Sequence, residues 1–88
     1  MKPLNSNRDL YDYLLLLASL LEQQGLHALS EAVMFASAQA AGLSTEFLGE
    51  SRIALRRVRD EGADALGGDD RNDLLDVLRQ LDEALDSR

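Results

Sequence analysis

The chain has 88 residues, no cysteine and a formal net charge of -7, which excludes a disulfide framework and argues against a nucleic-acid binder that works through overall positive charge. Hydrophobic residues make up 45% of it and aromatics only 5%, with one proline, a balance that favours leucine- and alanine-rich helices over sheets of β-branched and aromatic strands. A chain this short forms one domain at most and buries only about 60 to 65% of its unfolded surface, so a single helical domain over 1–88 of modest stability is expected.

The first predicted helix covers 7–24. Ser6, within Asn5-Ser6-Asn7, can cap it, Asp9 puts negative charge in its first turn, and Gly25 ends it. At 100° per residue, Leu10, Leu14, Leu17 and Leu21 form one stripe, flanked by Tyr13 and Leu20 on one side and Tyr11 and Ala18 on the other. Leu15 and Leu16 fall outside it, on either edge of a polar strip of Asp12, Ser19 and Gln23. An apolar arc this wide calls for at least two neighbouring helices, or for another copy of the chain. Lys2 and Arg8 precede the run Leu14 to Leu21 as basic residues precede a secretory leader. Asp12 interrupts that pattern and Glu22-Gln23-Gln24 follow it, so a cytoplasmic location is expected. The run is well short of the roughly 20 residues of a membrane span, and no membrane partner is expected.

The second helix, 27–41, stops at Gly42, which can take a left-handed cap conformation. Residues 32–45 carry no charge at all, and this helix is therefore read as the central one. Leu29, Ala32, Val33, Ala36 and Ala40 form its main stripe, and Met34, Ala38 and Ala41 form a second on the other side, so burial on both sides is expected.

The third helix, 45–61, can be capped by Ser44 and buries Phe47, Leu48, Ser51, Ala54, Leu55 and Val58. Glu46 and Glu50 open it and arginines close it, as the helix dipole favours. Gly49 marks either a close backbone approach or an exposed compromise. A linker, 62–70, follows, pinned by Leu66. The fourth helix, 71–86, has Asp69 or Asp70 as its cap and a stripe of Leu74, Val77, Leu78, Leu81 and Leu85. Up to Arg59 six basic residues balance six acidic ones, so the whole acidic excess lies in the last third. The predicted fold is all-α: a compact domain of four helices, as a bundle or an orthogonal array, with the second helix central.

Ala38 and Gly42 followed by Leu48, with Leu43 beside the glycine, resemble the helix-turn-helix motif of bacterial repressors, and Ala41-Gly42-Leu43-Ser44 reads like its turn. The resemblance implies a DNA-binding regulator whose third helix enters the major groove. The charges oppose it: Glu46 and Glu50 occupy the base-reading end, while Arg52, Arg56, Arg57 and Arg59 come later. Nucleic acid is accordingly not the favoured partner. Arg52, Arg56 and Arg59 share a helical face. Arg56 can pair with Asp60 and Arg57 with Glu61, but Arg52 has no carboxylate three or four positions away and must pair with the fourth helix or the linker, or serve a basic docking strip.

His27 and Glu31 have the i,i+4 spacing of two metal ligands. A site would need two further carboxylates from other helices, and no metal or other cofactor is expected. Asp69, Asp70 and Asp73 fail as a calcium loop, because Arg71 and Leu74 stand where an oxygen ligand and a glycine belong. No nucleophile has a candidate base and no glycine loop cradles phosphate, so an enzyme is not expected.

The chain thus reads as a small, acidic, bacterial-type helical protein that self-associates or binds a protein partner. A DNA-binding regulator and an acidic inhibitor or immunity-type protein acting on a basic partner are the alternatives. The candidate surface comprises Leu15, Leu16, Ile53 and Leu75, with Phe35 beside them, and the arginines Arg52, Arg56 and Arg59.

Overall fold

Four amphipathic patterns become four helices. The computed structural model describes Leu4 and residues 6–86; Lys2 and Asn5, used in the leader and capping arguments, lie outside the described residues. The helices are α1 (Asn7–Gln23), α2 (His27–Ala38), α3 (Ser44–Gly62) and α4 (Gly68–Asp86), with short 3-10 turns at Gln39–Ala41 and Ala63–Ala65. No strand occurs among the described residues, and the fold is the expected compact all-α domain, with α2 packed against both α1 and α3. Its accessible surface of 5161 Å² is close to the ~5,100 Å² typical of a folded monomer of this mass.

Ser6 caps α1 as expected, its Oγ accepting the Asp9 N–H at 3.3 Å. At the other end Gly25 takes φ 78°, in the left-handed region. The Leu26 N–H then donates to the Leu21 carbonyl at 2.9 Å and the Gly25 N–H to that of Glu22 at 3.0 Å, a Schellman closure that turns the chain back into α2.

Later boundaries differ from the expectations. Gly42 is extended (φ -97°, ψ -150°) rather than left-handed, because the end of α2 tightens into the 3-10 turn and Gly42 N–H bonds the Gln39 carbonyl at 3.0 Å. Ser44 is the first residue of α3, not its cap: Leu43 stands at the cap without a side-chain bond, and Ser44 Oγ accepts from Asn7 Nδ2 at 3.0 Å. The predicted linker 62–70 is mostly structured. A 3-10 turn and buried Leu66 occupy its first part, and α4 begins at Gly68, which puts Asp69 and Asp70 inside the first turn rather than at the cap. There they face the positive end of the helix dipole.

The core is one cluster. Leu10, Tyr13, Leu14, Leu17, Ala18 and Leu21 from α1 meet Leu29, Val33 and Ala36 from α2, Phe47, Ala54, Leu55 and Val58 from α3, and Leu74, Val77, Leu78 and Leu81 from α4. The second stripe expected to bury on α2 does not: Met34, Ala38 and Ala41 are exposed. The physical reason is that α2 packs on α1 and α3 through the face carrying Leu29, Ser30, Val33, Ala36 and Ser37, and no described element covers the other.

Two glycines of α3 have opposite roles. A Cβ built on Gly49 would meet nothing within 4 Å, so its exposed-compromise reading holds. One built on Gly62 would lie 2.6 Å from Leu29 Cδ1 and 3.3 Å from Leu26 Cδ1, because the end of α3 seats directly on the α1–α2 turn. Gly49→Ala should therefore stabilise by roughly 0.5 to 1 kcal/mol. Gly62→Val should destabilise by about 1 to 3 kcal/mol through overpacking, and denaturant melts of the two variants would separate these signs.

Tyr13 is buried with a hydroxyl that has no hydrogen-bond partner among the described residues. Burial raises its pKa, and the carboxylates of Asp73 and Asp70 add to the shift. A phenol protonated more tightly when folded than when unfolded leaves stability unchanged below pH ~10 and lowers it as pH rises beyond that. Tyr13→Phe is expected to be neutral or stabilising within about 1 kcal/mol at pH 7. It should also flatten the loss of melting temperature above pH ~10; an unaltered alkaline slope would assign that loss to other groups.

Candidate functional site

The exposed face of α2 lies next to a seam between α1 and α2 lined by small residues. Ala18 of α1 and Ser30 of α2 meet across it, the Ser30 Oγ donating to the Ala18 carbonyl at 2.8 Å. Small residues at a helix contact let the axes approach, so larger side chains beside the contact stand over the seam instead of filling it. Leu15 and Ser19 rise from α1, Met34 and Phe35 from α2, and Glu22, Gln23 and Glu31 close one end of the resulting groove. Met34 is 46% exposed and Phe35 62%.

The seam continues toward the start of α1 as a second concavity, lined by Asn7, Arg8 and Tyr11 opposite Ser37, Ala38, Ala40 and Ala41. At 100° per residue Tyr11, Leu15, Ala18 and Glu22 share one side of α1, so the two concavities lie end to end as an apolar strip along the α1–α2 hairpin, roughly 20 Å long at 1.5 Å per helical residue. Its ends differ electrostatically. Glu22 and Glu31 stand at one, where His27 Nδ1 lies 2.6 Å from Glu22 Oε1. At the other, Arg8 is engaged by Asp12 at 3.1 Å and contributes little net charge.

Of the apolar residues singled out from the sequence, Leu15 and Phe35 line this groove and the others do not. Leu15 lines the strip, whereas Leu16 (59% exposed), Ile53 (63%) and Leu75 (45%) project from α1, α3 and α4 respectively, outside that groove. Phe35 belongs to the strip. Met34, Ala38 and Ala41 complete it and were missed as surface residues, because a charge-free stripe of small residues looks the same in sequence whether a neighbour covers it or not. Leu43, 67% exposed at the α2–α3 connection, also lay outside the candidate set.

The arginines are committed within the chain. Arg52 Nη1 donates to Asp86 at 2.9 Å and to Asp82 at 3.4 Å, and Arg56 Nη2 reaches the same Asp82 oxygen at 3.0 Å. Arg56 thus bonds across to α4 rather than to Asp60. Asp60 instead pairs with Arg59 at 3.0 Å, and Arg57 with Glu61 at 3.0 Å. The hydrogen bond to Asp86 raises the Arg52 pKa, outweighing the opposing effect of burial. The Arg52 and Arg56 contacts clamp the middle of α3 to the last turns of α4.

A further cleft, of about 660 Å³, lies between the start of α1, α3 and α4, with Leu10, Leu48, Arg79, Gln80 and Leu81 in its walls. Its polar groups serve the fold: Gln80 Oε1 accepts the Leu4 N–H at 2.7 Å, and Arg79 bridges Asp76 and Glu83. The hydrogen bond from Arg79 holds the Asp76 carboxyl below the usual carboxylate range. His27 pairs with Glu22, and among the described residues no group of three or more histidines, aspartates or glutamates converges. No described helix is long and apolar enough to cross a membrane.

Comparison with protein-family models, with curated proteins and with solved structures finds no match to this chain.

Because Arg52 and Arg56 bond to α4, Arg52→Gln should lower the melting temperature at low ionic strength. The difference from wild type should shrink at ~1 M salt, where the Debye length falls to about 3 Å. Equal melting temperatures at low salt would show that the clamp does not hold α4.

Proposed function

We propose that this protein is a small, acidic, non-enzymatic module that binds a protein chain through the apolar strip of α1 and α2. The observation that carries the reading is the placement of Met34 and Phe35, both substantially exposed, over a groove whose facing wall is Leu15. Single exposed apolar side chains are ordinary on folded proteins, but several lining one concavity mark an interaction surface. Helical grooves of this kind accept an amphipathic helix whose anchors recur at i, i+3, i+4 and i+7.

The charge arrangement favours a protein over a nucleic acid as occupant. The arginines that would meet phosphates are held by Asp82, Asp86, Glu61 and Asp60, Glu46 is exposed in the first turn of α3, and the chain carries -7 overall. A cytoplasmic setting accords with a chain that has no cysteine.

The reading is tested by placing a photoreactive benzoylphenylalanine at Phe35 or, as a control, at Asp60 of α3, and irradiating cells that express each form. Position 35 should give a discrete protein adduct that Met34→Glu suppresses, and position 60 should not. No adduct from position 35, or the same adducts from both, would remove the strip as a protein-binding surface.

A further inference from the structure

The groove also carries information about its occupant. The charged residues lining the part of it beside Leu15, Met34 and Phe35 are Glu22 and Glu31, and no lysine or arginine lines that part among the described residues. Glu22 is 55% exposed even while it holds His27. At the far end Arg8 is neutralised by Asp12, so the strip as a whole is apolar with one acidic end. Resting on the protein-binding reading of this strip, we propose that its occupant is a basic amphipathic helix of a different protein, laid along the α1–α2 seam with its positive residues at the Glu22–Glu31 end.

Three observations select that occupant over a second copy of this chain. A two-fold pairing of strips needs a self-complementary surface. Here the acidic end of one copy would meet an end whose cation is already engaged. Two copies would also bring together chains of -7 each, a repulsion that a basic partner converts into attraction and faster encounter. Finally, the chain already has the surface area of a compact monomer, so its core does not depend on a partner for closure.

The strip's length sets the partner's: about 14 helical residues span roughly 20 Å. Two or three apolar anchors on one face would pack against Leu15, Met34, Phe35 and Ala38. Lysine or arginine toward one end would stand opposite the two glutamates, where partial desolvation by the groove walls makes a charge pair worth more than on open surface.

The test uses designed peptides of about 14 residues, one of leucine and lysine and one of leucine and glutamate, patterned as amphipathic helices and fluorescently labelled. Anisotropy titrations against the full chain should show the lysine peptide binding at least ~10-fold more tightly, a difference of about 1.4 kcal/mol. Phe35→Ser should weaken it by a similar factor. Glu22→Gln combined with Glu31→Gln should weaken it several-fold and flatten its salt dependence, whereas Leu75→Ser on α4 should leave it unchanged. Unaltered circular-dichroism melts of the variants would confirm that folding is intact.

Equal affinity for both peptides, or lysine-peptide affinity insensitive to Phe35→Ser or to the double glutamine variant, overturns the proposal. A solution mass of two chains that Phe35→Ser converts to one also overturns it, since the strip is then its own occupant. That result would leave the strip as a protein-binding surface, whereas loss of the photo-adduct at position 35 would remove both.

Discussion

The close approach of α1 to α2 is the constraint on which the other features depend. Ala18 and Ser30 are small enough to let the helices touch, and the Ser30 hydroxyl bonded to the Ala18 carbonyl fixes their register. With that register set, Leu29, Val33 and Ala36 face the core with Leu14, Leu17 and Leu21, and Gly62 can seat the end of α3 against Leu26 and Leu29. Met34, Phe35 and Ala38 are turned outward by the same rotation, since they lie on the part of the helix that neither α1 nor α3 covers. One contact thus produces both the packed side of α2 and its apolar outer side.

Electrostatics divides the molecule along different lines. The arginines of α3 and the carboxylates of α4 cancel locally through Arg52, Arg56, Asp82 and Asp86, and so help to dock the last helix. Such pairs are weak singly where water reaches them, but here two guanidinium groups share one carboxylate oxygen, so the three residues act as a small network rather than as isolated pairs. Glu22 and Glu31, at the end of the strip, stand apart from this network, and Glu22 pairs with His27. An apolar groove with an acidic end on an acidic protein has its natural counterpart in a basic amphipathic segment, and this is where the fold and the proposed function meet.

Much of the architecture was legible in the chain. Alternation at 3.6 residues identified each helix, glycines at 25 and 42 marked the first two connections, and Ser6 capped α1, because these depend on local geometry that a residue carries with it. The capping residues further along were read less well. Ser44 and Asp69 or Asp70 are capable caps, yet each helix starts at or before them, because buried Phe47 and Leu66 determine where the chain must turn inward. Arg52 illustrates the same limit from another side: its lack of a neighbour at helical spacing was visible, and the identity of its partners, Asp82 and Asp86, required α4 to be folded back.

The sequence by itself therefore determined an all-helical chain, four amphipathic segments and an acidic excess concentrated in the last third, since periodicity and charge are properties of residues in order. Tertiary structure alone decided that the stripe of Met34, Ala38 and Ala41 is exposed, that Leu15 joins it while Leu16, Ile53 and Leu75 do not, and that the arginines are engaged. The reason is that an apolar stripe states only what a helix face can bury. Which faces are covered depends on how many neighbours the fold supplies, and on α2 the face of Leu29, Val33 and Ala36 is buried while that of Met34 and Ala38 is left open.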